Sequence, residues 1–69
     1  MYKILEIDGT SQLGFSEAAK DTIEKLLAAG EKVTYFEVIE QRGAVREGTF
    51  KEFQVKLKVA IEGQVKVGV

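Results

Sequence analysis

The amino-acid sequence predicts an α+β fold in which one helix packs on one face of a three-stranded antiparallel sheet. Three observations support this prediction: a short strand-like segment at the start, one segment with helical spacing of its apolar residues, and two long segments of alternating apolar and polar residues. Their order along the chain is β-α-β-β. With 69 residues in total, we expect a single domain over residues 1–69.

The first half of the chain is predicted to form one strand and the helix. The strand covers Tyr2 to Ile7 and ends at Asp8-Gly9, a pair typical of turns. The helix runs from about Ser16 to Ala29, with Ser16 as its N-cap and Gly30 as the left-handed residue that ends it. Its apolar positions recur at helical spacing, at Phe15, Ala19, Ile23 and Leu26.

The second half of the chain is predicted to form a β-hairpin with its turn at Glu47-Gly48. If Arg46 pairs with Thr49 and the register is unbroken, Phe36 faces Val59. Tyr35 and Gln54 then project from the same face of the sheet, opposite the helix, and alternation adds Ile39 to that face. The helix side of the last strand has the cleanest pattern, with Phe53, Val55, Leu57, Val59 and Ile61.

The chain is small for a domain that folds alone. A domain of this length buries only about 60% of its surface, and small domains usually add disulfides, a metal or oligomerisation. The sequence has no Cys and no His, which excludes disulfides, zinc sites, thiol nucleophiles and Ser-His-Asp triads. A single helix also leaves one sheet face uncovered. We therefore expect self-assembly that packs this face against another subunit.

Charge and hydropathy exclude further classes of protein. The chain has 10 Lys+Arg and 11 Asp+Glu, a net charge of -1, without the clustered positive field that nucleic acids or anionic membranes require. No apolar run approaches the ~20 residues that span a bilayer. We expect no nucleic-acid or membrane partner and a cytoplasmic location. Residues 63–69 have no strong pattern and are interpreted as either an edge extension or a loose C-terminal tail.

Several features have both a functional and a simpler interpretation. Gly9 to Ser16 has the glycine spacing of a phosphate-binding loop, but Phe15 occupies the position of the required Lys. The many carboxylates are explained by cross-strand ion pairs, with ions on an oligomer axis as the alternative. Lys56 and Lys58 fit a solvated or ion-paired face. Tyr35 is either an interface anchor or a platform on which a planar ligand stacks.

Three blocks of the sequence have a distinctive order and spacing. The first is Tyr2 to Ser11, with its Gly-Thr-Ser ending. The others are Phe36 to Gly43 and Lys51 to Val55. Together they resemble the dodecins, a family of small flavin-binding proteins of bacteria and archaea. The helix lies between them at the expected distance, and no insertion or deletion separates the blocks. The resemblance covers residues 2–62, and the order and spacing of the blocks make it fairly specific.

The resemblance implies a hollow homododecamer with cubic symmetry and a flavin site on the uncovered sheet face. In flavin-binding members an aromatic residue, normally Trp, stacks on the isoalloxazine ring, and Tyr35 matches that position. Gln54 matches a Gln that hydrogen-bonds the polar edge of the ring. Arg42 matches an Arg that contacts a nucleotide phosphate in some members, but strand parity puts it on the helix side unless a twist or bulge intervenes. Lys3 completes the flavin-binding candidates.

The resemblance therefore favours a non-catalytic protein that stores or sequesters flavin, with riboflavin, FMN or lumichrome as the ligand. Tyr35 offers less π surface than Trp, which predicts weaker binding. Glu62 stands where many relatives have a basic residue, which favours neutral riboflavin or lumichrome over FMN. The alternative hypothesis is a dodecin-like cage that binds no flavin, or binds another planar or anionic ligand such as coenzyme A. The side chains give almost no support to an enzyme.

Overall fold

The computed structural model describes residues 2–63 and has the predicted order of elements. Strand β1 spans Tyr2–Ser11, helix α1 Phe15–Ala28, β2 Val33–Arg46 and β3 Thr49–Glu62. The strands form one antiparallel sheet in the order β1-β3-β2, so the last strand in the chain is the central one. The predicted fold class is confirmed. Apart from Gly63, the predicted loose tail lies outside the described residues.

Strand β1 is longer than predicted because the chain does not turn at Asp8-Gly9. Gly9 pairs with Val55 inside the ladder, and the strand continues to Ser11. Helix α1 packs directly over this glycine: a Cβ atom there would collide with the hydroxyl of Thr22 and lie 2.9 Å from the carbonyl oxygen of Ala18. The predicted turn is wrong, since Gly9 allows close helix–sheet contact instead.

Helix α1 begins and ends one residue earlier than predicted. Its N-cap is Gly14, with no side-chain cap bond, so the prediction that Ser16 caps the helix is wrong. The early start includes Phe15 in the first turn. Gly30 has the predicted left-handed conformation, with φ of 89°. The Gly30 N–H donates to the Leu27 carbonyl at 3.0 Å, and the Glu31 N–H donates to the Leu26 carbonyl at 3.1 Å. These two hydrogen bonds form a Schellman motif.

The hydrophobic core lies between α1 and the odd-numbered residues of β3. Its buried members are Ala18, Ala19, Ile23, Val55, Leu57, Val59 and Ile61. Towards the hairpin turn the core continues as an aromatic cluster, in which the ring of Phe53 lies 4.9 Å from that of Phe15 and 4.8 Å from that of Phe50. The apolar alternation of the third strand therefore predicts its buried face correctly.

Helix α1 is too short to cover the hairpin. Its 14 residues are about 21 Å long, whereas the 14 residues of β2 or β3 are about 46 Å long. No residue of β2 is buried, and Phe36 and Val38 remain 40% exposed although they lie on the helix side. Both faces of β2 are thus open, not only the face opposite α1. Within residues 2–63, no helix is long and apolar enough to cross a membrane.

The hairpin turn is at Glu47-Gly48, as predicted. Both residues have positive φ, 52° and 75°, as the two central residues of a type I′ turn do. The predicted register is confirmed at the turn, where Arg46 pairs with Thr49, and further along, where Phe36 pairs with Val59. The local sequence signals are therefore sufficient to position both ends of this ladder.

From Glu40 to Ala44 the predicted register is wrong by one residue because the hairpin contains two compensating bulges. Glu40 pairs with Lys56 and Arg42 with Gln54, so Ile39 is an extra residue on β2. Lys51 is an extra residue on β3, and it restores the register near the turn. Alternation does not determine the direction of a bulged residue, so it does not assign Ile39 to a face.

Candidate functional site

The candidate site is the sheet face opposite α1, which we call the open face. On β3 it consists of the even-numbered residues from Glu52 to Glu62, because the odd-numbered ones from Val55 to Ile61 are buried under the helix. Residues of β1 and β2 extend each position into a row across the sheet. The rows are Ile4–Ala60–Tyr35, Glu6–Lys58–Glu37, Asp8–Lys56–Glu40 and Thr10–Gln54–Arg42.

One end of the open face is an apolar platform made by Ile4, Ala60 and Tyr35. Ala60 is fully buried although it lies on this face, because it is flanked by the two larger side chains. Tyr35 itself is 49% exposed. A second bulge in β2 precedes it, where the Thr34 hydroxyl donates to the Ala60 carbonyl at 3.2 Å. The platform can stack a planar ligand or pack against another subunit.

The other end of the open face is a hydrogen-bonded polar chain around Gln54. Arg42 Nε donates to Gln54 Oε1 at 3.1 Å, and Gln54 Nε2 donates to Glu52 Oε2 at 2.9 Å. The guanidinium of Arg42 also lies 3.8 Å from the Glu40 carboxylate. A cavity of about 190 Å³ opens beside this chain, and its lining includes Thr10 of β1, Glu40 and Arg42 of β2, and Gln54 of β3.

The middle of the open face is an alternation of charges. Lys58 stands between Glu6 and Glu37, and the next row repeats the pattern. Within residues 2–63 the only ion pair closer than 4.0 Å is Arg42–Glu40, so neither lysine forms a close ion pair with its neighbours in this part of the chain. No three acidic side chains of this described part converge on a common point where a metal ion would bind.

The structure brings together only some of the predicted site residues. Gln54 and Arg42 are direct neighbours, because the bulge at Ile39 moves Arg42 to the open face. Tyr35 is on the same face, but it opposes Ala60, six residues along β3 from Gln54, which corresponds to about 20 Å. Lys3 pairs with Ile61 and therefore lies on the helix side, away from the other three.

Sequence reasoning missed the contact of Glu52 with Gln54. The two residues are separated by one position on β3 and therefore lie on the same face of the strand. That spacing is visible in the sequence and is the signal that could have identified the contact.

Comparison with known proteins gives a consistent result. The sequence model of the Dodecin family matches residues 1–63. Dodecin of Thermus thermophilus is 36% identical over 59 residues, which are 86% of each chain. The structure of dodecin from Streptomyces coelicolor superposes with a TM-score of 0.83 at 28% identity, over 93% of this chain and 91% of that chain. The structure of a calcium dodecin of Mycobacterium tuberculosis, described as calcium chelating, superposes with a TM-score of 0.82 at 26% identity, over 100% of this chain and 99% of that chain.

Proposed function

The chain belongs to the dodecin family, and on that premise we propose that it is a non-catalytic protein that stores or sequesters flavin between the subunits of a homododecamer. The ring system would stack on Tyr35, and Gln54 would hydrogen-bond its polar edge. Two-fold-related Tyr35 side chains would enclose the stacked rings. Stacking an aromatic donor on an excited flavin quenches its fluorescence and limits its photochemistry, which fits sequestration.

The observation that most supports an inter-subunit site is the distance between its two parts. Tyr35 and Gln54 share the open face, but about 20 Å of strand separates them. One tricyclic ring cannot contact both residues of the same chain. A site that uses both groups therefore takes them from different subunits, and it is complete only in an assembly.

The exposed apolar surface of β2 supports the same proposal. Tyr35, Phe36, Val38 and Ile39 are consecutive or nearly so, and all are exposed in the single chain. Contiguous exposed apolar residues on both faces of a strand are unusual for a monomer and typical of an interface. Association would bury them and supply part of the free energy that a chain of 69 residues lacks.

The charge of the open face favours a neutral flavin. Acidic residues outnumber basic ones on this face, and Glu62 lies next to the Tyr35 row. The acids are Glu6, Asp8, Glu37, Glu40, Glu52 and Glu62, and the bases are Arg42, Arg46, Lys56 and Lys58. The excess of negative charge repels a phosphate group and so opposes the binding of FMN. The proposed ligand is therefore riboflavin or lumichrome.

Titration of riboflavin with the purified protein tests the binding. We expect wild-type protein to quench riboflavin emission at micromolar concentrations. Tyr35→Ala should keep the assembled mass but weaken binding about tenfold or more, since stacking adds ~0.5–1.5 kcal/mol to the contribution of burial. Tyr35→Phe, which keeps the ring, is the matched control and should bind within severalfold of wild type. Unchanged emission with wild-type protein would reject the proposal.

The mass of the particle in solution tests the assembly separately. Twelve chains of 7.6 kDa give about 91 kDa by light scattering. A particle of this mass that leaves riboflavin emission unchanged would favour the alternative, a dodecin-like cage with another ligand or none. A mass near that of one chain would refute the shell.

A further inference from the structure

We infer that Glu52 is a positioning residue, which together with Arg42 orients the side-chain amide of Gln54 for one hydrogen-bonding pattern of ligand. This inference rests on the proposed function. The ligand edge that fits is a cyclic imide, in which an N–H stands beside a carbonyl group.

The two contacts of Gln54 require the same orientation of its amide. A guanidinium can only donate hydrogen bonds, so Arg42 must face the amide oxygen, at 3.1 Å. Near neutral pH a carboxylate can only accept them, so Glu52 must face the amide nitrogen, at 2.9 Å. A rotated amide would set donor against donor and acceptor against acceptor. Each contact thus opposes rotation independently of the other.

The backbone explains why these side chains meet. Arg42 is opposite Gln54 only because Ile39 is bulged. Glu52 directly follows the bulged residue Lys51, whose carbonyl accepts a hydrogen bond from the side-chain amide of Gln12 in the loop before α1. A bulge therefore precedes Arg42 on β2 and Glu52 on β3, and bulges commonly redirect side chains at functional sites.

The oriented amide keeps half of its hydrogen-bonding capacity. A glutamine amide has two acceptor positions on oxygen and two N–H donors. Arg42 uses one acceptor position and Glu52 uses one donor, which leaves one of each for a ligand. The imide of the flavin pyrimidine ring presents one N–H and adjacent carbonyl oxygens, which match this pair. An amide that is already oriented loses less rotational freedom on binding.

A double-mutant cycle on riboflavin affinity tests whether Glu52 acts through Gln54. Glu52→Thr suits a strand and removes the carboxylate, and we expect it to raise the riboflavin Kd about three- to tenfold, the usual effect of one lost hydrogen bond. In a Gln54→Leu background, the same substitution should change the Kd less than twofold. Glu52→Gln, which keeps an acceptor oxygen, should restore most of the affinity.

Two controls separate positioning from charge and from folding. Glu24→Leu removes an exposed carboxylate on α1 and should leave the Kd within twofold. Riboflavin methylated on its imide nitrogen lacks the N–H, so Glu52→Thr should affect its Kd less than that of riboflavin. If Glu52→Thr does not assemble, Glu52→Leu takes its place in the cycle.

The outcomes distinguish this inference from the proposed function. Absence of quenching by wild-type protein overturns both. Quenching by wild type that is unchanged in Glu52→Thr overturns the positioning role alone, and so does an equal loss with Gln54 present and in the Gln54→Leu background. A loss confined to the protein that keeps Gln54, with rescue by Glu52→Gln, supports it.

Discussion

Adding a methyl group at Gly9 measures how closely α1 is packed on the sheet. Gly9 is not in the left-handed conformation, so alanine is allowed by the backbone and would by itself stabilise the protein by about 0.4–1 kcal/mol. Against this, the new Cβ meets the Thr22 hydroxyl and lies 2.9 Å from the Ala18 carbonyl oxygen. Overpacking of this kind typically costs ~1–3 kcal/mol.

The collision at Gly9 cannot be relieved easily. Thr22 is buried, and its hydroxyl donates to the same Ala18 carbonyl at 2.8 Å, a bond worth about 1 kcal/mol that rotation would break. The helix backbone would have to shift instead. We therefore expect Gly9→Ala to destabilise the fold by about 2 kcal/mol, which at ~5 °C per kcal/mol lowers Tm by roughly 10 °C.

Thermal unfolding followed by circular dichroism, at one fixed protein concentration, checks this expectation. Gly43→Ala is the matched control, because its Cβ would have only an ordinary contact, 3.7 Å from Phe50 Cε1. Thr22→Ala removes the colliding hydroxyl, so Gly9→Ala should cost less in that background. If Gly9→Ala is as stable as Gly43→Ala, or its cost is unchanged by Thr22→Ala, the explanation of this glycine is refuted.

Two further substitutions address the turn and the core. Glu47 has φ of 52°, a conformation that costs most non-glycine residues ~1–2 kcal/mol and costs Asn less. Glu47→Asn should therefore raise the free energy of unfolding, measured by chemical denaturation, by about 0.5–1 kcal/mol. An unchanged free energy of unfolding would contradict a type I′ turn. Leu57 is fully buried at the centre of β3, so Leu57→Ala should lower the free energy of unfolding in chemical denaturation by about 2–5 kcal/mol. Leu13 is 79% exposed, so the control Leu13→Ala should lower it by less than about 0.5 kcal/mol. Equal losses in the two variants would contradict the assignment of Leu57 to the core.

Most of the fold was predictable because its signals are local. Helical spacing identified α1, strict alternation identified the buried face of β3, and Glu47-Gly48 identified the turn. Gly9 shows the limit of such signals. A glycine after an aspartate predicts a turn, but here it is required by contact with a helix that lies later in the chain. Packing against α1 therefore determines the conformation at Gly9, and the local sequence around Gly9 does not reveal this packing.

The candidate site was predictable in part, for a related reason. Strand parity and the position of Tyr35 and Gln54 put both on one face, and the observed ladder agrees. The contact of Arg42 with Gln54 depends on the bulge at Ile39, which has no signature in residue type. Lys3 was a candidate only by resemblance, and its pairing with Ile61 directs it to the other face. Parity is readable from sequence only while the ladder is regular.

The strand order also has a consequence for how the chain folds during synthesis. Neither outer strand pairs with the other, and both take all their sheet hydrogen bonds from β3. Until β3 has emerged from the ribosome, β1 and β2 have no partner in their own chain. The pairing of Tyr2 with Glu62 joins residues 60 positions apart in sequence, an event of high contact order and therefore slow. Translation of one short segment thus decides when the sheet can form at all.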